Sequence, residues 1–122
     1  MEHLSVAAPL VQIGLLGEAV DGAPVAVLVA DETGRYVAAN RFACSLFGYT
    51  REELLRLNVT DVAVGTDVAA HYQSFVAAGI QKGVLTARRK DGTTFEFRYR
   101  AGETMMAGMT YYVSVGVPVE DD

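Results

Sequence analysis

The sequence predicts an antiparallel α+β domain, and three observations carry that expectation. Apolar residues follow a helical period near the N-terminus and again in the middle of the chain, then a period of two in the last third. Two turn-forming clusters, Asp31-Glu32-Thr33-Gly34 and Lys90-Asp91-Gly92-Thr93, join extended segments as hairpins. The resulting order is a helix, two strands, several short helices and three strands. Strands grouped at both ends, joined by hairpins and not by regular crossovers, give an antiparallel sheet.

The first helix is expected from about Ala8 to Val20, where Leu10, Ile13, Leu16 and Val20 fall near helical spacing and Pro9 occupies the first turn. Val11 and Leu15 widen its apolar face, so it wants a partner: the body of the domain or another subunit. Asp21-Gly22 ends it. Pro24 leads into Val25 to Ala30, a continuous β-branched and apolar run that reads as a buried strand. Arg35-Tyr36-Val37-Ala38 reads as the returning strand. Asn40 can cap a short helix with Phe42, Ala43, Leu46 and Phe47 on one face, and Gly48 stops it. Thr50-Arg51-Glu52-Glu53 fits a capping box, followed by the apolar Leu54, Leu55 and Leu57. A longer helix is expected from about Asp67 to Ala78, with Val68, Tyr72, Phe75 and Val76 on one face and Gly79 as its stop. Beyond the second turn, Phe95, Phe97 and Tyr99 alternate with Glu96, Arg98 and Arg100. A last strand runs from about Thr110 to Val117, with Tyr111, Val113, Val115 and Val117 on one side.

A chain of 122 residues, 51% hydrophobic and 20% charged, suits one folded domain and one core. A net charge of −5 argues against a nucleic-acid partner. The only dense basic run, Arg88-Arg89-Lys90, abuts Asp91-Gly92 and reads as a solvated strand end. A single cysteine, Cys44, excludes an intramolecular disulfide and fits a reducing compartment. The apolar stretch Val6 to Val20 lacks the cationic start of a signal peptide, having Glu2 and His3 there. It is also interrupted by Pro9, Gln12, Gly14, Gly17 and Glu18, and is too short to span a bilayer. The expectation is therefore a soluble, cytoplasmic protein with no membrane partner. No nucleophile elbow, metal-binding histidine pair or phosphate loop is present, so no enzymatic activity is expected.

Two segments, APVAVLVADETGRYVAANRFACSLFGYTREEL and ARRKDGTTFEFRYR, together with the element order, resemble the PAS family of sensor domains. The resemblance runs from roughly Ala23 to Val117. It implies a five-stranded antiparallel sheet with short helices on one face, preceded here by an N-terminal flanking helix. The corresponding division is a flanking helix over 1–22, a PAS domain over 23–119 and an acidic tail over 120–122. The implied role is sensory or regulatory, within a signal-transduction or transcription-regulatory protein.

That family offers several chemistries, each of which this chain can be read against. Flavin photosensors carry a cysteine soon after the Tyr-Thr-Arg-Glu-Glu helix; Val59 stands at that place here. Haem sensors use a histidine on the long helix, but the matching place falls nearer Val68 than His71. His71 reads as a surface or boundary residue, and Cys44 as packing. Neither haem nor flavin is expected, nor any other cofactor or metal.

By the same resemblance a small, mostly apolar or aromatic ligand would lie against Phe42, Leu46, Phe47, Tyr72, Phe75, Phe97, Tyr99, Tyr111 and Val113. The alternative, that these side chains fill a closed core in a ligand-free pairing module, stays open. The N-terminal helix implies a homodimer through Leu10, Ile13, Leu16 and Val20. The C-terminal Gly116-Val117-Pro118 departs from the family's usual transmitting motif, so a downstream effector, as partner or as following domain, is left open.

Overall fold

The computed structural model describes residues 8–120. Helix α1 (Pro9–Asp21) precedes strands β1 (Ala26–Ala30) and β2 (Tyr36–Ala39). Four helices follow, α2 (Arg41–Phe47), α3 (Arg51–Leu54), α4 (Val59–Val62) and α5 (Val68–Ala78). Strands β3 (Ile80–Arg88), β4 (Thr94–Met106) and β5 (Met109–Pro118) complete the order. The strands form one sheet in the order β2-β1-β5-β4-β3, antiparallel at every junction. The first and last strands of the sequence thus meet near its centre, and the helices between them cover one face.

Local chemistry explains most boundaries. The Asn40 side chain accepts a hydrogen bond from the Ala43 amide at 3.0 Å, starting α2 as an N-cap. Gly48 (φ 81°) ends α2 and Gly79 (φ 79°) ends α5, both in the left-handed conformation that a side chain disfavours. Thr50 and Glu53 form the expected capping box of α3, with amide-to-side-chain distances of 3.1 and 2.9 Å. Helix α4 has no counterpart among the sequence expectations. Asn58 and Asp61 close a second capping box around it, an Asn-x-x-Asp pattern hidden by the brevity of the element. Helix α5 begins one residue later than expected, because Asp67 (φ 58°) is left-handed and makes no side-chain cap.

Asn40 does more than cap. It is 4% exposed. Its carbonyl oxygen also accepts from the Val27 amide at 2.9 Å, and its amide group donates to the carbonyls of Val20 at 2.8 Å and Val25 at 2.9 Å. One side chain therefore ties α1, the start of β1 and α2 together. Asp21 adds ion pairs to Arg41 and Arg51. Although its C-terminal end is anchored in this way, α1 buries none of its residues: Leu10 is 81% and Ile13 66% exposed.

The last strand corrects the sequence reading. Tyr112 and Gly116 are buried, whereas Val115 and Val117 are exposed. Tyr111, Val113, Val115 and Val117 therefore occupy the outer face of the sheet. Pairing explains the inversion: Gly116 sits opposite Tyr99, whose strand faces inward through Phe97, Tyr99 and Ala101. A Cβ on Gly116 would lie 2.5 Å from the Phe97 ring. The inner face of β5 is thus kept small at Gly116, where the Phe97 ring from β4 needs the room, and the valines of β5 are left outside.

Candidate ligand cavity

The most deeply buried side chains fall into two clusters joined by half-buried tyrosines. A larger cluster contains Leu28, Tyr36, Phe47, Leu54 and Phe97, and a smaller one contains Phe75, Ala101 and Tyr112; Tyr72 and Tyr99 pack against both. Between sheet and helices lies a cavity of about 510 Å³, open to solvent on the side of the exposed Gly65, Thr66, Gln81 and Val84. Its origin is visible in the strand register. Leu28, Ser114, Ala101 and Gln81 pair in one row across the sheet, so the middle of that row holds two small side chains. The adjacent position on β1 is Ala30, also small and buried. Small residues on a sheet covered by helices leave unfilled volume unless a large helical side chain reaches in. Helix α4 contributes only Val59 and Val62 to the roof.

Helix α5 closes the other side with Val68, Tyr72 and Phe75. It is pinned to the β1–β2 turn: the Tyr72 hydroxyl donates to the Asp31 carbonyl at 2.7 Å, and the Gln73 amide donates to the Glu32 carbonyl at 3.3 Å. Tyr72, Phe75 and Tyr112 meet edge to face with centroids 5.2–6.2 Å apart. Phe47 meets Phe97 in the same way at 5.6 Å, and Phe97 stacks on Tyr99 at 6.2 Å. These are favourable arrangements for aromatic quadrupoles and hold the walls in fixed orientations.

Tyr36, from β2, reaches the cavity and was not among the expected lining residues. It is 7% exposed. Its hydroxyl has no hydrogen-bond partner among the described residues, and burial pushes its pKa up, with Tyr72 and Asp61 adding to the effect. Burial likewise raises the Tyr99 hydroxyl. Of the described residues that line the cavity, none is Asp, Glu, Lys or Arg. His71 stands exposed at the rim. Among the described residues, no three metal-ligating side chains come together.

Of the nine side chains expected around a ligand, Phe47, Tyr72, Phe75, Phe97 and Tyr99 line this cavity. Phe42 lines instead a separate surface groove with Pro24, Arg98 and Pro118. Leu46 packs half-buried against the larger cluster, because it lies one position from Phe47, which takes the inward direction of α2. Tyr111 and Val113 lie on the outer face, and Tyr112 and Ser114 take their place. Val59, at the position matching the flavin cysteine, does reach the cavity and offers methyl groups there. Cys44 is half-buried, and burial raises its thiol pKa, the Arg51 charge opposing this in part. Such a thiol is a poor nucleophile. Tyr36, Tyr112 and Ser114 were missed because no periodicity marks them as apolar; only strand pairing assigns their face.

Among the described residues, no helix is long and apolar enough to cross a membrane. Asp121 and Asp122 of the expected acidic tail, and residues 1–7 of the expected flanking segment, lie outside the described residues.

Comparison with known proteins places this geometry. A family model described as PAS fold matches residues 15–117. The PAS domain of an HTR-like protein from Haloarcula marismortui superposes with a TM-score of 0.79 at 18% identity, covering 88% of this chain and 92% of that one. A PAS domain from a two-component sensor histidine kinase gives 0.80 at 15% identity, with 92% and 100% coverage. A domain of a sensory box sensor histidine kinase/response regulator from Geobacter sulfurreducens gives 0.77 at 20% identity, with 92% and 98% coverage.

Proposed function

This chain belongs to the PAS family, and from that premise we propose that it is a sensory domain of a signal-transduction or transcription-regulatory protein. Its signal is a small, mostly apolar or aromatic molecule held between the sheet and α5. The observation that carries this reading is the cavity of about 510 Å³ in the middle of an otherwise well-paired fold. That volume lies within the range of about 300–1,000 Å³ typical of small-molecule sites.

The response follows from the same geometry. Tyr72 lines the cavity and also bonds the β1–β2 turn through the Asp31 carbonyl. A ligand that displaces the Tyr72 ring strains that bond and shifts α5 against the sheet, a differential contact of the kind a switch requires. A thermal-shift screen of neutral aromatic compounds, followed by native mass spectrometry, tests the reading. Binding of a ligand in excess raises the melting temperature by mass action. A screen in which no compound raises it, with no mass adduct, refutes the proposal.

A second reading rests on α1. Its apolar side chains Leu10, Ile13, Leu16 and Val20 are all exposed, and burying each large aliphatic side chain is worth about 1.5–3 kcal/mol. They support a homodimer formed through this helix. Multi-angle light scattering of the native chain and of Leu16→Glu tests it: the native chain should have twice the mass of the variant. A native chain that stays monomeric at high concentration refutes it.

A further inference from the structure

We propose that the cavity selects an uncharged, ring-containing ligand that accepts a hydrogen bond from the Tyr36 hydroxyl. This rests on the ligand-binding reading above and specifies what that site takes.

The absence of Asp, Glu, Lys and Arg from the described lining decides the charge. An ionised ligand would leave water for a lining whose one possible counter-charge, His71, stands exposed at the rim, and moving an unpaired ion into an apolar interior is far costlier than moving a neutral polar group. Asp61, whose charge already acts on Tyr36, further disfavours an anion at that end.

Hydrogen-bond accounting decides the polar group. Tyr72 has committed its proton to the Asp31 carbonyl. The hydroxyls of Tyr36, Tyr99, Tyr112 and Ser114 also line the cavity and have no side-chain hydrogen bond among the described residues; of these, the Tyr36 hydroxyl, on a residue 7% exposed, is the one that burial affects most. No fully buried side-chain nitrogen or oxygen among the described residues lacks a partner, so the Tyr36 hydroxyl opens onto the cavity and is free to meet a ligand atom there. Since burial holds Tyr36 protonated, it has a proton to donate. The complementary atom is therefore an acceptor, such as a ketone or amide oxygen or a ring nitrogen. The edge-to-face aromatic walls around Tyr72, Phe75 and Tyr112 suit a flat ring system.

The test compares three naphthalenes of nearly equal shape by two-dimensional NMR titration. They are 2-acetylnaphthalene (a neutral acceptor), 2-ethylnaphthalene (no acceptor) and 2-naphthoate (an anion). The ketone should bind the native chain up to about ten-fold more tightly than the ethyl compound, the upper end of what one neutral hydrogen bond supplies. The carboxylate should bind most weakly. Tyr36→Phe should abolish the ketone's advantage and leave 2-ethylnaphthalene unchanged. If that variant does not fold, the ranking of the three probes on the native chain decides. Equal binding of ketone and carboxylate, or a ketone preference that survives Tyr36→Phe, overturns the inference while leaving ligand binding intact. Binding by none of the three overturns both.

Discussion

Replacing Asn40 with alanine removes four side-chain hydrogen bonds at once, those to the Ala43 and Val27 amides and to the Val20 and Val25 carbonyls. The N-cap bond alone is worth about 1 kcal/mol. Each of the other three, being neutral, contributes about 0.5–1.5 kcal/mol. The Val20 and Val25 carbonyls are only partly buried, so water reaches them in the variant and the loss stays in the lower half of that range. The expected destabilisation is about 3 kcal/mol, and the melting midpoint should fall by roughly 10 °C for a domain of this size. Urea unfolding followed by circular dichroism measures it, with an unchanged slope showing that the native state stays compact. Asn40→Asp separates capping from bridging. Aspartate is an equally good N-cap and keeps both amide bonds. It has no proton for Val20 and Val25, and sets a carboxylate oxygen against two carbonyls. It should therefore also lose at least about 1.5 kcal/mol. An Asn40→Asp variant as stable as the native chain would show that Asn40 is merely a cap, and the reasoning would fail.

Two further predictions come from other parts of the fold. The hydrogen bond from Lys90, with that from the Thr50 amide, holds the Glu53 carboxyl below its ordinary value of 4.5. A lowered native pKa means stabilisation that is complete above the ordinary value and lost as the pH falls through the native one. The gap in urea midpoint between the native chain and Glu53→Gln should therefore be present at neutral pH and close in acid; a gap that does not change with pH would refute the assignment. Gly116→Ala places a methyl group 2.5 Å from both the Arg98 carbonyl and the Phe97 ring, and should cost about 1–3 kcal/mol by overpacking. Gly14→Ala, which meets nothing within 4 Å on α1, should instead stabilise by up to about 1 kcal/mol, so equal midpoints for these two variants would contradict the packing described.

How far each element was legible depended on whether its cause was local. The Asn40 cap, the Thr50–Glu53 box, the glycine stops at Gly48 and Gly79 and the Lys90–Thr93 turn all involve groups within a few residues of one another. Each was written in the chain and each stands in the structure. Helix α4 has an equally local cap in Asn58 and Asp61, but four residues are too few for an apolar period to show. Five of the seven aromatic side chains that line the cavity, Phe47, Tyr72, Phe75, Phe97 and Tyr99, were legible as well, since each lies on the apolar stripe of a regular element.

The assignment of β5 failed for a physical reason. Alternation reveals that a strand has two faces, and composition normally shows which is inward. Here the richer face, Tyr111, Val113, Val115 and Val117, lies outside, while Tyr112, Ser114 and Gly116 point in. The inward side had to be small at Gly116, where the Phe97 ring crosses it from the neighbouring strand. By itself, then, the sequence determined the order of elements, their caps and turns, and the family to which the chain belongs. Only the tertiary structure decided which face of the last strand is buried, and that Ala101 and Ser114 pair across the sheet, with the small Ala30 in a neighbouring row, to leave a cavity. It alone brought the Tyr36 hydroxyl to that cavity's wall, because the helices and strands that complete the wall come from segments far from β2 in the chain and no local pattern encodes their meeting.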